Sequence, residues 1–341
     1  MSKRQQDVGA LLKALDQAEE KVQSEKAKKR AIANQLIAAT QALPENERQA
    51  VLEQLSQQLS ADELTEKFTR LLSQHKLPLT SAASFQQLLV QATRRRQLFN
   101  FQPEWKLNNK RTAYQFIDQL GVKRPETFAF NKPLSSIEPR KGTVLKPENG
   151  SSSQGVFIFD QQGGAFEVRT GKALPSASDA LTHANNLMVQ GTIKKDSWLL
   201  EEFIGDFEDG KPLPTVDLKF YCFYGEVGFI LEVERADKTR YCEWLPDGRL
   251  AETGRYAGRT FVGNGFSNEQ LEIAKRISQA ISTPFMRIDF IKSKHTFSFG
   301  EFTPRPGQFS SFSKEFDRYL GECYLSAEGR LLKKYINGDV A

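Results

Sequence analysis

The segment Arg287-Ile288-Asp289-Phe290-Ile291 is followed, after a short polar stretch, by Gly300-Glu301-Phe302-Thr303-Pro304-Arg305-Pro306-Gly307. Lys292 to Lys294 has the composition of a turn, and His295 to Phe302 alternates between polar and apolar residues as a strand does. The pattern predicts a β-hairpin that brings Asp289 and Glu301 together.

Two carboxylates on neighbouring strands repel one another unless a cation neutralises them. Mg²⁺ prefers one or two carboxylates together with phosphate oxygens and water. The hairpin therefore predicts a Mg²⁺ site at Asp289 and Glu301. The alternative is a pair of solvated acids at strand ends, because acids next to Gly and Pro are common in turns.

Composition indicates a folded protein without a nucleic-acid partner. The chain has 341 residues, 39% hydrophobic content and 25 phenylalanines, enough for two or three compact units. A net charge of +5 is too small to indicate nucleic-acid binding.

Cys222, Cys242 and Cys323 are too widely spaced to indicate a disulfide framework or a zinc site. Without an apolar signal segment or a membrane-spanning run, we expect a cytoplasmic location and no transmembrane segment.

Residues 1 to about 97 are rich in Gln, Ala, Leu, Lys and Glu, which is a helical composition. The first helix, about 5 to 42, has an interrupted apolar stripe and is expected to project outward or to form a coiled coil. Further helices are predicted to about Leu59, from Ser60 to about His75, and over Ser81 to Phe99. This extension is expected to mediate self-association or to bind a protein partner.

Two basic clusters, Lys28-Lys29-Arg30 and Arg94-Arg95-Arg96, lie in this extension. Acidic lipids or a partner protein would suit them. A run of charges is more often a solvated helix face, and we prefer that interpretation.

A Gly/Ser-rich loop, Lys146-Pro147-Glu148-Asn149-Gly150-Ser151-Ser152-Ser153-Gln154-Gly155, connects two predicted strands. Glycine permits close backbone approach, the serines offer hydrogen-bond donors, and Lys146 offers a positive charge, which together suit a triphosphate. The Walker pattern is absent and no helix follows. Surface hairpins also have this composition. The lysine at the loop entrance is the feature that favours a phosphate-binding loop.

Leu199-Leu200-Glu201-Glu202-Phe203-Ile204 runs from an apolar strand into acidic residues, and Asp206 and Glu208 follow. One interpretation is an interdomain hinge whose backbone binds adenine while a downstream acid holds the ribose. The other is a strand that ends in a polar loop. Taken alone, the segment favours the second.

The strand that contains Asp217, Lys219 and Tyr221 places these three residues on one face. An inward-facing lysine is costly unless it is paired, so Lys219 is either matched by Asp217 or held for an anionic ligand. Arg235, at the end of the next strand, is expected to reach the same site.

These motifs occur in the order and spacing of an ATP-grasp ligase, over about Asn108 to Ser326. Within that superfamily the chain most resembles the TupA-like group, which is associated with teichuronopeptide and other cell-surface polysaccharide synthesis. The motifs that carry this resemblance are Asp217-Leu218-Lys219-Phe220-Tyr221-Cys222-Phe223-Tyr224-Gly225, Arg287-Ile288-Asp289, Gly300-Glu301-Phe302-Thr303 and Asp317-Arg318-Tyr319-Leu320-Gly321.

The resemblance implies an α+β class and an ATP-grasp fold, in which two α+β subdomains sandwich ATP. The ATP-grasp domain would span residues 105–330, behind the α-helical extension 1–97. A lid subdomain would cover about 141–205 and a metal-binding subdomain 206–326, with a C-terminal tail at 331–341. The helical composition before residue 97 departs from the usual βαβ substrate domain.

The resemblance also implies nucleotide contacts. Lys110 and Lys146 would contact the ATP phosphates under a lid loop. The remaining contacts would come from the lid serines and glycine, the adenine-binding hinge and the ribose-binding acids, namely Ser151, Ser152, Ser153, Gly155, Glu201, Glu202, Ile204, Asp206 and Glu208.

For catalysis, the resemblance implies that Lys219 and Arg235 neutralise the transferring phosphate, with Arg287 as a further catalytic residue. Asp289 and Glu301 would bind Mg²⁺. Thr303 stands where many ATP-grasp enzymes have an asparagine as third metal ligand, and a hydroxyl is a poorer ligand for Mg²⁺.

The expected reaction joins a carboxylate to an amine through an acyl-phosphate, with ATP and Mg²⁺ as cofactors. The expected substrates are small molecules or glycan precursors. One alternative is a phosphotransferase that acts on a sugar or another hydroxyl. Another is a non-catalytic scaffold whose helices bind a partner.

Overall fold

The computed structural model of the protein describes most of the chain and divides it into two compact units, Met1–Ser84 and Phe85–Ala341. The lid residues Ser151 and Ser152 lie outside the described residues. The described ranges are 3–100, 102–148, 153–213, 215–235 and 238–338.

The first unit is helical. Its helices are α1 (Lys3–Thr40), α2 (Glu45–Gln58) and α3 (Glu66–Gln74), with short 3₁₀ turns at Ala61–Glu63 and Thr80–Ala82.

Local sequence signals set the ends of these helices. Pro44 precedes α2, and its fixed φ suits a helix start. Ser60 and Glu63 form a capping box, which opens the 3₁₀ turn at Ala61–Glu63 rather than the helix predicted from Ser60. Thr65 caps α3 by accepting a hydrogen bond from the N–H of Phe68 at 3.2 Å.

The core of the first unit involves only the C-terminal part of α1. Ala33 and Ile37 of that helix are buried against α2, α3 and the loops that follow them. Six further side chains complete this cluster, namely Leu52, Leu55, Leu59, Phe68, Leu72 and Leu77.

The second unit combines helices with antiparallel sheets. Its helices are α4 (Phe85–Phe99), α5 (Lys110–Gln119), α6 (Ala177–Val189), α7 (Asn268–Ala280) and α8 (Lys314–Ile336). Short 3₁₀ turns lie at Pro103–Asn108 and Leu134–Ser136.

One sheet has the strand order β1-β6-β2-β3-β4-β5, with antiparallel neighbours throughout. It packs on α6 around the buried side chains of Trp198, Phe157 and Phe159. Its strands are β1 (Thr127–Lys132), β2 (Thr143–Pro147), β3 (Phe157–Phe159), β4 (Ala165–Glu167), β5 (Lys172–Leu174) and β6 (Trp198–Glu202).

A second sheet has the order β11-β10-β9-β12-β13, also antiparallel throughout. A two-stranded ribbon, β7 (Phe207–Glu208) with β8 (Lys211–Pro212), lies between the two sheets in the sequence. The strands of the second sheet are β9 (Val216–Phe223), β10 (Glu226–Arg235), β11 (Thr239–Trp244), β12 (Met286–Lys292) and β13 (Phe297–Thr303).

The two faces of the second sheet pack on different helices. One face, which includes Phe220 and Phe290, contacts α5 and α7. The other face, which includes Tyr221 and Phe229, contacts α4 and α8. Because side chains alternate along a strand, Lys219 and Arg287 point to the same side as Tyr221.

Glycine bulges interrupt this alternation in two strands. In β13, Asp289 pairs with Glu301 but Phe290 pairs with Phe299, so Gly300 is an extra residue. A Cβ at Gly300 would lie 3.1 Å from the backbone oxygen of Asp289. Gly228 has the same role in β10, between the pairs made by Val227 and Phe229.

The hairpin predicted to bring Asp289 and Glu301 together is present as β12 and β13, and β9 and β10 form another hairpin. The latter turns at Tyr224 and Gly225, whose φ angles of 39° and 87° are those of a type I′ turn. The sequence did not indicate α8, which extends to Ile336 and so includes part of the expected tail. Within the described residues, no helix combines the length and apolar composition that a membrane span requires.

Helix α4, placed in the N-terminal extension by its composition, belongs to the second unit. Phe85 is fully buried, and its ring lies 5.0 Å from that of Phe285 in an edge-to-face arrangement. Leu88 and Leu89 enter the same cluster. The hydrophobic core of the second unit therefore begins at Phe85.

We predict that Phe85→Ala lowers the free energy of unfolding of the second unit by about 3–5 kcal/mol, because it leaves a cavity among aromatic rings. Tryptophan fluorescence during denaturant unfolding measures this unit selectively, since Trp105, Trp198 and Trp244 all lie in it. Val90→Ala, at an exposed position of the same helix, is the control and should change the value by no more than about 0.5 kcal/mol. Equal losses in both variants would contradict the packing described.

Candidate active site

The antiparallel register places three charged residues in one row across the second sheet. Asp289 of β12 lies opposite Lys219 of β9 on one side and Glu301 of β13 on the other. All three side chains point away from the cluster that contains Phe220. The predicted juxtaposition of Asp289 and Glu301 is therefore present in the strand pairing.

Asp289 is buried and holds two cations. Its Oδ2 accepts a hydrogen bond from Nζ of Lys219 at 2.5 Å. Arg287 binds both carboxylate oxygens, with Nε to Oδ1 and Nη2 to Oδ2 each at 2.6 Å. Nη2 of Arg287 also donates to Oγ1 of Thr303 at 2.9 Å and lies 3.6 Å from Oε1 of Glu301. Thr303 therefore holds Arg287 in place.

Asp217 connects two of the predicted catalytic cations. Its Oδ2 accepts hydrogen bonds from Nε and Nη2 of Arg235 at 3.0 and 2.7 Å. The same oxygen lies 3.6 Å from Nζ of Lys219. The expected matching of Lys219 by Asp217 is present, and Arg235 reaches the same site.

A second charged cluster surrounds the buried carboxylate of Glu201 in β6. Lys146 of β2 makes a short hydrogen bond to its Oε1, and Nζ of Lys110 lies 3.6 Å from the same oxygen. The hydroxyl of Tyr114 donates to Oε2 at 2.9 Å. The side chain of Glu201 thus positions both predicted phosphate-binding lysines.

The environment lowers the pKa values of Glu201 and Lys110 and raises the pKa of Lys146. Burial disfavours the charged form of Glu201, but Lys146 and Lys110 outweigh it and lower the pKa of this carboxyl. Burial likewise opposes charge on Lys146, but Glu201 outweighs it and raises the pKa. Burial and the like charge of Lys146 lower the pKa of Lys110. Lys110 is therefore the more readily neutralised of the two lysines.

The two acids of the hairpin also differ. Burial works against ionisation of Asp289, but Arg287 and Lys219 outweigh it and hold its pKa below the usual range. Desolvation within the cleft and, second, the Asp289 carboxylate raise the pKa of Glu301. The side chain of Glu301 is nevertheless exposed, so its carboxylate is the more accessible of the two to a ligand.

The two clusters border one cleft, which consists of adjoining pockets of about 290 and 500 Å³. Lys110, Lys146 and Glu301 line both pockets. The smaller pocket adds Lys219, Arg235, Asp217 and Asp289, and the larger adds Trp105, Asn108 and Glu148. Volumes of this size are typical of sites for small ligands.

The lid loop is described only from Ser153 onward. Ser153 lines the smaller pocket and has a positive φ of 56°. Gly155 has a φ of 67°, and a Cβ there would lie 2.5 Å from Cδ1 of Ile193. This position therefore requires glycine.

The predicted hinge follows β6 directly. The N–H of Glu202 donates to the backbone oxygen of Glu126 at 2.8 Å, and Ile204 is buried. Oδ2 of Asp206 accepts a hydrogen bond from the N–H of Lys294 at 3.0 Å, which links the hinge to the hairpin turn. Glu208 is exposed in β7. Nucleotide contacts by these four residues remain a prediction.

The donor set of the hairpin fits a hard cation such as Mg²⁺. Two carboxylates face one another across paired strands, and both line the cleft. Both oxygens of Asp289 and the hydroxyl of Thr303 already accept hydrogen bonds, which leaves Glu301 as the most accessible ligand. Across the described residues, this hairpin included, no cluster of three or more His, Cys, Asp or Glu side chains is placed to hold a metal ion.

A family comparison agrees with this arrangement of strands and charges. The sequence profile described as TupA-like ATPgrasp matches residues 89–325, more than half of the chain. The chain belongs to this family. Its second unit therefore has the ATP-grasp fold, and the helical extension precedes it. A search among curated proteins finds no match to the sequence.

Several solved structures of ligases are similar to the chain at low identity. The ligase PsnB, complexed with a precursor variant, Mg and ADP, has 11% identity and a TM-score of 0.40, covering 66% of this chain and 60% of that chain. D-Alanine-D-alanine ligase from Helicobacter pylori has 17% identity and a TM-score of 0.37, covering 64% and 61%. L-Amino acid ligase from Bacillus licheniformis has 14% identity and a TM-score of 0.37, covering 79% and 55%.

The chain spans about three fifths of the length of these ligases. At such identities the likeness concerns the fold alone. The activities of those enzymes are therefore not assigned to this member of the TupA-like family by the comparison.

The sequence did not indicate the hydrogen bond between Tyr114 and Glu201. It also did not indicate that the side chain of Glu201 pairs with Lys110 and Lys146. Tyr114 lies in α5, where its spacing is that of an ordinary core residue, and its contact with Glu201 joins positions 87 residues apart. The nearest signal was the buried position of Glu201, since an acid in an apolar strand requires a partner.

We predict that Glu201→Gln lowers the free energy of unfolding of the ATP-grasp unit by about 3 kcal/mol, because two partly buried ammonium groups lose their shared counter-ion. Tryptophan fluorescence during urea unfolding gives the value. The control is Glu202→Gln, which weakens one hydrogen bond to the N–H of Glu126 and should cost less than about 1 kcal/mol. A stable Glu201→Gln protein would show that the lysines do not depend on this carboxylate.

Proposed function

We propose that the protein is an ATP- and Mg²⁺-dependent ligase that joins a carboxylate to an amine. The observation that carries this proposal is the arrangement of two groups of cations around one cleft with a carboxylate pair between them. Lys110 and Lys146 lie on one side, Lys219 and Arg235 on the other, and Glu301 with Asp289 between.

Lys110 and Lys146 are assigned to the ATP phosphates. Both ammonium groups line the cleft while Glu201 holds them from behind. Their positions are fixed before a ligand binds, which lowers the entropy cost of binding an anion. Ser153, which lines the cleft together with both lysines, is assigned to the same phosphates.

Glu301 and Asp289 are assigned to Mg²⁺, with Thr303 beside them. When bound, the ion would neutralise phosphate charge as it transfers. Arg287 and Lys219 orient the Asp289 carboxylate from two directions, and Lys219 with Arg235 supplies further positive charge where the transferred group would lie.

The proposed reaction has two displacements. A carboxylate oxygen of the substrate attacks the γ-phosphorus of ATP, which breaks the bond to ADP and forms an acyl-phosphate. The amine nitrogen then attacks the acyl carbon, the phosphate leaves with the former carboxylate oxygen, and the nitrogen loses a proton. Neither pocket is lined by a Cys or His among the described residues, which agrees with direct transfer between substrates.

The substrates are proposed from the family alone. TupA-like proteins are associated with cell-surface polysaccharides, so an amide on an amino-acid or glycan precursor in the cytoplasm is the proposed product. A phosphotransferase acting on a hydroxyl would use the same ATP site, and isotope transfer distinguishes the two reactions.

Substrate carboxylates labelled with ¹⁸O provide the test. Candidate amino acids and uronic acids are first screened for ATP consumption with hydroxylamine, which traps an acyl-phosphate as a hydroxamate. A ligase transfers one ¹⁸O atom from the carboxylate to the released phosphate. ATP consumption that leaves the γ-phosphate on a substrate hydroxyl, with no labelled phosphate released, would identify a kinase instead.

We predict that Asp289→Asn and Glu301→Gln each reduce Mg²⁺-dependent ATP turnover by at least about 100-fold, because each removes a charge from the proposed metal site. The measurement is ADP release with increasing Mg²⁺. Glu234→Gln, at the end of β10 where it pairs with Arg240, is the matched control and should retain turnover. Wild-type rates in either hairpin variant would contradict the metal assignment.

We also predict that Lys146→Ala and Lys219→Ala affect different constants. Lys146 faces the ground-state phosphates, so its loss should raise the Kd for ATP by about 10-fold or more. Lys219 faces the transferring group, so its loss should lower kcat more than ATP affinity. Calorimetric binding and steady-state rates separate the two. Equal changes in Kd without a separate loss of kcat would contradict these roles.

A further inference from the structure

The N-terminal half of α1 carries apolar side chains that face solvent. Val8, Leu11, Leu12, Leu15 and Val22 are between 46% and 70% exposed. Isolated exposed leucines are ordinary, but five within fifteen residues of one helix are not. This half of α1 has the apolar content of an interface.

The C-terminal half of the same helix already has its partners. Lys26 pairs with Asp62, and Lys29 pairs with Glu63 at 2.6 Å. Beyond these ion pairs, Ala33 and Ile37 enter the core of the first unit. The buried apolar residues of α1 therefore all lie beyond Lys26, although Ile32 and Leu36 in that part of the helix remain exposed.

The exposed residues repeat every seven positions. Val8, Leu15 and Val22 occupy one heptad position, and Leu11 and Ala18 occupy the position three residues later. These are the a and d positions of a two-stranded coiled coil. The repeat is interrupted at Glu25, which occupies the next d position and accepts a hydrogen bond from Lys28 at 2.7 Å, and at Lys29, which occupies the next a position and pairs with Glu63.

We propose that this seam pairs with the same seam of a second copy of the chain, in an antiparallel coiled coil over about residues 5–22. A homodimer is self-complementary by symmetry, so a single seam satisfies both partners. The occupant is therefore a second copy, and the interface is built by the first unit alone.

Charge and side-chain size favour the antiparallel direction. A register centred near residue 13 packs Leu11 against Leu15 of the partner subunit and Val8 against the small Ala18 of the partner subunit. It also places Asp7 beside Lys21 of the partner subunit, which is an attractive pair at each end. Charge complementarity thus agrees with the apolar pattern in this register.

The parallel direction lacks this complementarity. It would place Asp7 beside the apolar Leu12 of the partner subunit and Lys21 beside Lys26 of the partner subunit. Like charges at such positions act against pairing.

The test is the mass of the full-length protein by light scattering after gel filtration. A chain of 38.6 kDa should be a dimer at about 100 µM and dissociate on dilution toward about 1 µM, as expected for a short coiled coil. A monomer at the highest concentration, whatever else the helix binds, would overturn the proposal.

Leu15→Asp should raise the dissociation constant by about 100-fold or more, because it places an unpaired charge at the centre of the seam. Gln17→Asp is the matched control, since it makes the same charge change on the solvent face of the same helix turn and should leave the dimer intact. Circular dichroism confirms that both variants keep their helices. Dimers of unchanged strength with Leu15→Asp would exclude this seam.

Two cysteine variants test the direction. In the antiparallel register Ala14 lies near Ala14 of the partner subunit, so Ala14→Cys should form a disulfide-linked dimer on mild oxidation. Val8→Cys should not, because Val8 meets Val8 of the partner subunit only in the parallel arrangement. Rapid cross-linking of Val8→Cys, with Ala14→Cys unlinked, would overturn the antiparallel pairing.

Discussion

The buried carboxylate of Asp289 constrains the side chains of the second sheet that border the cleft. A buried carboxylate without partners is strongly unfavourable, and here β9 supplies Lys219 while β12 itself supplies Arg287. Each cation is in turn held by a further group, Asp217 for Lys219 and Thr303 for Arg287. The side chains that would meet a phosphate are thus fixed by one another.

The cluster around Glu201 follows the same physical rule in the other sheet. In both clusters a buried acid orients the cations that border the cleft. An entering phosphate therefore meets preformed positive groups whose internal partners compete with it. This competition limits ground-state affinity but preserves the positive field that a transferring phosphate requires.

The sequence predicted the parts of the fold that depend on local pattern. The hairpin of β12 and β13 follows from alternation and turn composition. The cost of an inward-facing lysine left two alternatives for Lys219, a match with Asp217 or an anionic ligand, and did not point to Asp289, which accepts its hydrogen bond. The sequence did not predict the contact of Tyr114 with Glu201, because that contact joins distant segments. It also left α8 unassigned and grouped α4 with the extension, since composition cannot show that Phe85 packs among rings from strands more than 130 residues away.

The bulge at Gly300 has a consequence for the way this hairpin is compared among relatives. Phe299 and Phe302 face the same core although their separation is odd, so the strand contains two segments of opposite phase. An alignment that enforces strict alternation would shift Glu301 by one position and place Gly300 or Phe302 in the cleft instead. Deletion or insertion of one residue here exchanges a core position with a ligand position, which makes glycine at this point a reliable marker of the correct frame.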